Sequence, residues 1–262
     1  MKTMQGAPLV SVIMPSYRSE PFLAQAVESV VAQTVTDWEL LILDDQSPDG
    51  AWEIAQSYAQ RDPRIHCLRS EENLGVAETR NRGIESARGE WIAFLDSDDI
   101  WHDEKLEKQL DVAKRTGAGL IYTAYAIFRN EDQHRVRYAV PQSVNYDALL
   151  LENVIGCSTA MVRRSLLTNH RFRRDLYHED YALWLELLRS GVKAAGCPDV
   201  LVEWRVSKDS RSYDKVNAAK NRWAIYRKAE KLPLWKSAFA FTVYALRGTL
   251  KVRKSRHAER ST

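Results

Sequence analysis

Apolar positions along the first half of the chain follow two alternating periodicities. Short, largely apolar runs are typical of buried strands, and they occur at residues 10–14, 38–43, 64–68, 90–95 and 119–126. Between them, apolar residues at helical spacing predict helices over 19–33, 51–60, 76–87 and 103–115. Strands that alternate with helices of this length predict βαβ units, a mostly parallel sheet and an α/β fold.

The alternation becomes less regular after residue 126. The pattern there predicts strands over 158–162 and 200–206 and a helix over 179–190. Two more helices are predicted over 213–231 and 234–251, separated by Pro233, which does not fit a helix interior. We therefore expect an α/β domain over residues 1–206 and a helical C-terminal extension over residues 207–262.

Charge divides the chain at nearly the same place. The net charge of the 262 residues is only +3, but residues 205–262 carry 16 Lys and Arg against four Asp and Glu. That segment has a net charge of +12 and leaves −9 for residues 1–204. A basic segment favours an anionic partner. Because its apolar run at 234–246 lies in no recognised nucleic-acid module, we expect an anionic membrane surface rather than nucleic acid. The alternative is a helix packed on the domain with a frayed basic end.

Cysteine content and hydropathy indicate the compartment. The three cysteines lie far apart and form no CxxC pair, which argues against a disulfide scaffold or zinc knuckle and favours a reducing compartment. The N-terminal MKTMQGAPLV lacks the apolar run of a signal peptide. Residues 237–246, the longest largely apolar stretch, are about half as long as a membrane-spanning helix. We expect a cytoplasmic protein that is peripheral on the inner face of the cell membrane.

Polar clusters follow three of the predicted strands. They are Pro15-Ser16-Tyr17 after the first strand, Asp44-Asp45 after the second, and Asp96-Ser97-Asp98-Asp99 after the fourth. The carboxyl ends of parallel strands meet at one edge of a sheet, where ligands bind. Each cluster alone is also explained as an ordinary Asp-rich turn. Two acidic clusters at one edge favour a divalent cation, Mg²⁺ or Mn²⁺, that leaves coordination positions for substrate phosphates. The chain has neither GxxxxGK[ST] nor GxGxxG, which argues against a P-loop NTPase and a dinucleotide oxidoreductase.

Three segments together resemble the family 2 glycosyltransferases. They are VSVIMPSYRSE at 10–20, WELLILDDQSPDG at 38–50 and NLGVAETRNRGIESARGEWIAFLDSDDIW at 73–101. The later segments NVIGCSTAMVRR, HEDYALWLELLRSG and EWRV resemble the branch that makes bacterial teichuronic acid, O-antigen or capsule. The resemblance covers about residues 8–250. It implies the GT-A fold, a Rossmann-like, mostly parallel sheet flanked by helices.

The resemblance also implies an activity and a division of the domain. The expected enzyme is an inverting hexosyltransferase that moves a sugar from a nucleotide diphosphate, most simply a UDP-hexose, to a hydroxyl of a lipid-linked glycan. The nucleotide-binding part would cover about residues 8–126 and the acceptor part about 127–206, with Mn²⁺ or Mg²⁺ as cofactor. The expected partners are a nucleotide-sugar donor, a lipid-linked saccharide acceptor and the anionic membrane surface.

Roles for single residues follow from the matching motifs. Pro15, Ser16 and Tyr17 would line the nucleotide, and Asp45 would accept the uracil N3–H. Arg80 would face the nucleotide, with Arg82 as the second candidate. Asp96, Ser97 and Asp98 form the D-x-D motif, in which Asp98 would contact the ribose or the metal and Asp99 competes as metal ligand. In HEDY, Asp180 would be the general base.

The expected reaction explains these residue types. The acceptor hydroxyl attacks the anomeric carbon opposite the departing diphosphate, so its proton must pass to a base. Asp180 lies at the start of a predicted helix, where the helix dipole favours a carboxylate. A divalent cation offsets the charge that develops on the diphosphate. No covalent nucleophile is needed.

Several residues near these motifs have two interpretations each. Trp101, His178 and Glu179 are candidate acceptor contacts, but Trp101 is equally a core residue and His178 a solvated loop residue. Residues 153–159 form either an acceptor loop or a plain turn. The arginines before HEDY either contact an anionic acceptor, such as a lipid pyrophosphate, or lie in a solvated loop; they are Arg163, Arg164, Arg171, Arg173 and Arg174.

Two other functions compete with a glycosyltransferase. A sugar-phosphate nucleotidyltransferase would carry a glycine-rich basic loop after the first strand, where this chain has PSYRSE. A non-catalytic, membrane-associated assembly subunit would not need Asp45, Asp96, Asp98 and Asp180, all of which are present. Both observations favour the enzyme.

Overall fold

A mixed β-sheet forms the centre of the structure, a computed structural model that describes residues 6–129, 132–206 and 215–258. Within these ranges the sheet has ten strands: β1 (Val10–Ser16), β2 (Trp38–Asp44), β3 (Ile65–Arg69), β4 (Trp91–Phe94), β5 (Ile100–Trp101), β6 (Leu120–Arg129), β7 (Asp132–Tyr138), β8 (Ser143–Val144), β9 (Met161–Arg163) and β10 (Ala194–Arg205). Their order is β3–β2–β1–β4–β9–β6–β10–β5, with β7 beside β6 and β8 beside β10.

Helices cover both faces of this sheet. They are α1 (Leu23–Val31), α2 (Ala51–Arg61), α3 (Val76–Ser86), α4 (Lys105–Thr116), α5 (Tyr146–Leu151), α6 (Glu179–Arg189), α7 (Lys215–Ala224) and α8 (Leu234–Ala258). Short 3₁₀ turns lie at Cys157–Thr159 and Arg164–Leu167, and α7 continues into a π-helical segment at Ile225–Ala229. The expected α/β class is confirmed, and the helices and strands predicted in the first half lie within a few residues of those observed.

The amino-terminal half of the sheet is parallel. β1 pairs in parallel with β2 and β4, and β2 with β3. All residues of β1 and β2 are buried, because helices cover both faces. Val12 belongs to the core under α1, α2 and α4, whereas Ile13 belongs to the core shared with α3 and α6. At Gly83 of α3 an added Cβ would lie 2.6 Å from Ile13 Cγ2, so the glycine lets α3 approach β1 closely.

The carboxyl-terminal half contains the elements that the pattern did not predict. β9 runs antiparallel between β4 and β6, while β6 and β10 are parallel. The strand predicted over 158–162 is a 3₁₀ turn followed by β9. β5 and β8 have two residues each, too few for a periodicity, and β7 (DQHRVRY) is a largely polar strand that pairs with β6 alone.

The described part of the C-terminal extension, residues 215–258, is largely helical, as expected, and packs on α5 and α6, while residues 207–214 and 259–262 lie outside the described residues. The Tyr226 hydroxyl donates to the Leu150 carbonyl at 2.8 Å, and the Tyr146 hydroxyl donates to Glu230 at 2.8 Å. No described helix combines the length and apolarity needed to cross a membrane. The extension is therefore joined to the domain by specific contacts along α5.

Candidate active site

The Asp45 carboxylate is fixed by backbone amides just beyond the end of β2. Its side chain is 4% exposed, and its Oδ1 and Oδ2 accept the N–H groups of Leu74 and Gly75, each at 2.8 Å. Gly75 has a φ of 82°, which suits glycine and turns both amides toward Asp45 as α3 begins. A carboxylate oxygen has two acceptor positions, so one remains on each oxygen for a ligand.

The residues around Asp45 differ in what they expose. Ser16 is buried, its hydroxyl pairs with the Ser19 hydroxyl at 2.7 Å, and its carbonyl accepts the Asp45 N–H at 2.9 Å. Tyr17 is 44% exposed, and Pro15 is buried in β1. Among these three predicted nucleotide contacts, Tyr17 alone thus offers a largely open side chain.

Asp44 is enclosed by the turn that follows β2. Its Oδ2 accepts the Ser47 N–H at 3.2 Å and pairs with Arg69 Nε at 3.1 Å. The side chain is 1% exposed, so Asp44 stabilises the turn after β2 from inside.

The Arg80 guanidinium bridges two parts of the site. Its Nη2 donates to Asp96 Oδ1 at 2.5 Å, just after β4, and its Nη1 donates to Glu179 Oε1 at 2.6 Å, at the start of α6. The Arg80 and Glu179 side chains are both 5% exposed, whereas Asp96 is 34% exposed. Burial alone lowers the pKa of Arg80, but the nearby carboxylates, Asp96 foremost, raise it well above its usual value. This placement differs from the expectation that Arg80 faces the nucleotide, because both of its terminal nitrogens already bind carboxylates.

The third carboxylate of the Asp96–Asp99 turn faces the interior. Asp99 is 2% exposed; its Oδ2 accepts the Ser158 hydroxyl at 2.5 Å and its Oδ1 accepts the Arg205 N–H at 3.0 Å. Burial and the charge of Asp98 raise the pKa of Asp99 well above its usual range. This differs from the expectation that Asp99 is a metal ligand, because its carboxylate binds Ser158 and Arg205 on the interior side of the turn.

Asp98 lies on the more open side of the same turn. The side chain is half-buried, and burial together with the negative charge of Asp96 raises its pKa to about 6. Ser97 between them is 9% exposed. Asp96 and Asp98 are therefore the two carboxylates of the motif that are accessible from solvent.

Two residues that hold this turn were not predicted as site residues. The Ser158 hydroxyl, besides donating to Asp99, accepts the Asp96 N–H at 3.0 Å. Arg205 Nε, at the end of β10, donates to the Asp98 carbonyl at 2.8 Å, and its guanidinium lies 4.5 Å from the centre of the Phe128 ring. Both residues lie in the motif segments NVIGCST and EWRV. The partners in these two contacts are 62 and 107 positions apart in the sequence, so no local sequence pattern predicts them.

Trp101 supports the turn from the core side. It is 2% exposed, and its indole N–H donates to the Ser158 carbonyl at 2.9 Å. Lys105 Nζ lies 3.7 Å from the centre of the indole ring on a side chain that is fully buried. The expectation that Trp101 contacts an acceptor is therefore corrected: its ring is enclosed by protein.

Asp180 lies in the first turn of α6, where a carboxylate is favoured by the helix dipole. It is half-buried, and its Oδ1 accepts the Tyr181 N–H at 2.7 Å. Glu179 beside it is directed to Arg80 and is 4% exposed, so the expected acceptor contact by Glu179 is corrected to an internal ion pair. His178 precedes the helix, half-buried, with its ring edge-on to Tyr177 at 5.3 Å.

The buried Cys157 thiol lies near both Asp180 and the D-x-D motif, so these residues belong to one charged cluster. Burial raises the pKa of this thiol well above the usual value, and the thiol is close enough to Arg80, Asp96 and Asp180 to interact with their charges. The structure thus brings together one arginine and carboxylates from β4 and α6. The first turn of α6 therefore faces the acidic turn after β4.

Comparison with known proteins identifies the family. Residues 11–171 match the sequence profile described as Glycosyl transferase family 2. The chain belongs to this family. It is therefore a glycosyltransferase, and the expected enzyme class is confirmed.

Relatives of this family 2 glycosyltransferase are named for bacterial surface polysaccharides. The chain is 38% identical over 239 residues to the "Putative teichuronic acid biosynthesis glycosyltransferase TuaG" of Bacillus subtilis (strain 168), covering 91% of this chain and 95% of TuaG. It is 36% identical over 218 residues to the "UDP-Glc:alpha-D-GlcNAc-diphosphoundecaprenol beta-1,3-glucosyltransferase WfgD" of Escherichia coli, covering 83% and 85%. Both names agree with the expected branch of the family.

Solved structures confirm the GT-A fold. Residues 1–349 of S. aureus TarS in complex with UDP-GlcNAc superpose with a TM-score of 0.71 at 18% identity, covering 90% of this chain and 71% of that one. The mannosyltransferase PcManGT from Pyrobaculum calidifontis, in complex with GDP-Man and Mn²⁺, superposes with a TM-score of 0.69 at 18% identity, covering 92% and 74%. At these identities the likeness concerns the fold.

The acidic turn of this glycosyltransferase suits a divalent cation that is shared with a substrate. Among the described residues no group of three or more His, Cys, Asp or Glu side chains could enclose a metal ion. Asp96 and Asp98 supply hard oxygen donors, which Mg²⁺ and Mn²⁺ prefer. Burial and the negative charge of Asp96 raise the pKa of Asp98, and a bound cation would offset the repulsion between the two carboxylates. Two protein carboxylates leave the remaining coordination positions to a diphosphate.

Proposed function

We propose that this glycosyltransferase moves a hexose, with inversion, from a UDP-sugar to a hydroxyl of a lipid-linked glycan in bacterial cell-surface polysaccharide synthesis. The observation that carries the proposal is the Arg80 bridge, which ties the D-x-D turn to the first turn of α6, where Asp180 lies. The names of the relatives support it, since WfgD is named for a UDP-Glc donor and a diphosphoundecaprenol-linked acceptor.

In this proposal residues 8–126 bind the donor. Asp45 accepts the uracil N3–H, because its carboxylate is held in place by two amides and keeps acceptor positions. The open Tyr17 ring covers the nucleotide, while Pro15 and Ser16 shape the backbone beneath it. Ser97 lies between the two accessible carboxylates and borders the diphosphate.

Asp98, with Asp96, would hold Mn²⁺ or Mg²⁺ together with the donor diphosphate. When bound, the cation supplies Lewis-acid stabilisation of the leaving diphosphate. Asp99 acts in this proposal through the turn, since it is 2% exposed and binds the Ser158 hydroxyl and the Arg205 N–H on the interior side. Arg80 keeps Asp96 in place from the other side.

Residues 127–206 present the acceptor and the base. The acceptor hydroxyl forms a bond to the anomeric carbon while the bond from that carbon to the diphosphate oxygen breaks. The hydroxyl proton passes to the Asp180 carboxylate. Because base and leaving group lie on opposite sides of the sugar, the anomeric configuration inverts. In this proposal His178, the residue before α6, contacts the acceptor.

We further propose that α8 places the enzyme on an anionic membrane surface. Its outward face carries Leu234, Trp235, Phe239 and Leu246, which are 60–72% exposed. Trp235, Phe239 and Leu246 are spaced by four and seven residues, so they share one helix face. The sequence then adds basic residues at Arg247, Lys251, Arg253, Lys254 and Arg256. An apolar face followed by basic residues is typical of an interfacial helix on anionic lipid.

A vesicle experiment tests this membrane contact. The full chain should sediment with vesicles of phosphatidylcholine and phosphatidylglycerol, and Trp235→Ser/Phe239→Ser should remain in the supernatant. Each large apolar side chain contributes about 1.5–3 kcal/mol when buried, so the pair should weaken binding more than 10-fold. Leu68→Ser, at a 38% exposed position on β3, is the matched control. Equal sedimentation of the Trp235→Ser/Phe239→Ser variant and the Leu68→Ser control would rule out the proposed membrane contact.

A donor screen tests the reaction. The enzyme is incubated with Mn²⁺, a polyprenyl-diphosphate-linked saccharide and a panel of UDP- and GDP-sugars, and both the free nucleotide and the extended lipid are measured. We expect UDP release that depends on the acceptor, together with an inverted anomeric linkage in the product. Pyrophosphate release from a nucleoside triphosphate and a sugar phosphate would instead indicate a nucleotidyltransferase. Absence of any transfer would favour a non-catalytic assembly subunit.

A further inference from the structure

Both sequence neighbours of Asp180, Glu179 and Tyr181, are held by specific side-chain contacts. Glu179 is held by Arg80 on the side of the acidic turn. Tyr181 is 1% exposed, and its hydroxyl donates to the carbonyls of Leu149 and Leu150, both at 3.1 Å. The half-buried Asp180 therefore lies between two immobilised neighbours, and their positions set the direction of its carboxylate.

A second contact with Tyr181, on the face of its ring, comes from the C-terminal extension. The Arg222 guanidinium of α7 lies 3.9 Å from the centre of the Tyr181 ring. On α8, the Tyr244 ring lies 4.5 Å from the same guanidinium. The three side chains form a stack, Tyr181–Arg222–Tyr244, that runs from α6 through α7 to α8.

The Arg222 guanidinium is buried between these rings and also lies beside the Tyr226 hydroxyl. Arg222 is 8% exposed, no carboxylate forms an ion pair with it among the described residues, and its Nη1 lacks a hydrogen-bond acceptor there. Aromatic faces stabilise a desolvated guanidinium by about 2 kcal/mol or more, so both rings contribute to holding it. Loss of either ring leaves a buried cation poorly compensated, and the start of α6 can then shift.

We propose that the Tyr181–Arg222–Tyr244 stack positions Asp180, so that the C-terminal extension contributes to turnover as well as to location. The inference rests on the proposed function, in which Asp180 is the base. Arg222 touches no reacting atom in this account and acts through Tyr181. A displacement of about 1 Å at a catalytic group lowers a rate by up to about 100-fold.

The test compares the stack with a matched surface position. Arg222→Met and Tyr244→Leu are assayed for kcat and KM with the donor found in the screen, and for UDP affinity in Mn²⁺. Lys220→Met, an exposed position on the same helix, controls for loss of one positive charge. Tyr244→Phe keeps the aromatic face and serves as the conservative rescue. We expect kcat to fall about 10- to 100-fold in the first two variants. UDP affinity should stay within about 2-fold of wild type, and Tyr244→Phe should recover most of the kcat.

Different outcomes overturn different claims. If wild type transfers sugar and both stack variants keep its kcat, this inference fails alone. The same holds if kcat falls only in proportion to UDP affinity or to the folded fraction measured by circular dichroism. Tyr244→Leu removes one face only, so it remains informative if Arg222→Met does not fold. A wild-type protein that transfers no sugar overturns the proposed function and this inference with it.

Discussion

The Arg80–Glu179 ion pair allows a quantitative test of how the site is held together. Both side chains are 5% exposed and meet at 2.6 Å, so the pair is screened little by solvent. Arg80 also binds Asp96, whose side chain is 34% exposed. Removal of Arg80 therefore leaves the buried Glu179 without this ion pair, whereas removal of Glu179 leaves Arg80 still paired with Asp96.

Removing Arg80 is the more damaging change. Arg80→Met leaves the Glu179 carboxylate buried without its cation, which destabilises a fold by about 3–5 kcal/mol. Glu179→Met leaves Arg80 paired with the partly solvated Asp96. It should cost about 1–3 kcal/mol, the loss of one charged hydrogen bond. In the double variant no charge of the pair remains buried, so its cost should lie well below the sum of the two single costs.

Urea denaturation of wild type, both single variants and the double variant measures these free energies of unfolding. The expected order of destabilisation is Arg80→Met above Glu179→Met, with a coupling energy above about 1 kcal/mol. The surface pair Arg163–Glu90, at 47% and 54% exposed, is the matched control and should couple by less than about 1 kcal/mol. Additive costs at Arg80 and Glu179 would refute the claim that the pair is a buried structural unit.

Two further predictions concern the support of the acidic turn. Ser158→Ala removes the hydroxyl that binds Asp99 and the Asp96 N–H, so it should destabilise the fold by about 1–3 kcal/mol and weaken the UDP affinity measured by calorimetry in Mn²⁺. Ser165→Ala, at an exposed position, should change neither the stability nor the UDP affinity. Equal effects of the two substitutions would contradict the prediction. Burial lowers the pKa of Lys105 well below its usual 10.5, so between the lowered pKa and 10.5 the unfolded chain binds a proton that the folded chain lacks, and stability rises with pH over that window. Lys105→Met should therefore raise the free energy of unfolding at pH 7 and flatten its rise toward pH 10, and a less stable variant with an unchanged pH slope would contradict this.

The ends of the central strands could be predicted from the sequence, because each apolar run stops at a polar residue. Asp45 follows such a run and lies just after β2, whereas Asp180 lies in the first turn of α6, where the sequence predicts the start of a helix. These positions depend on local patterns of ten or so residues. The fold class follows from their repetition along the first half of the chain.

The direction of individual side chains could not be predicted in the same way. Asp99 and Asp98 are neighbours in one turn, yet Ser158 and the end of β10 draw Asp99 inward. Trp101 follows the motif directly, but its indole N–H finds a partner 57 positions away in the core. Such contacts depend on which elements the sheet brings together, and that information is absent from any single window of sequence.

The direct test of the central claim is transfer by Asp180→Asn. The variant is compared with wild type for transfer from the UDP-sugar to the lipid-linked acceptor, and for UDP affinity in Mn²⁺. We expect transfer to fall by at least about 100-fold, the contribution of a general base, while UDP affinity is unchanged. An Asp180→Asn enzyme that transfers sugar at the wild-type rate would show that Asp180 is not the base.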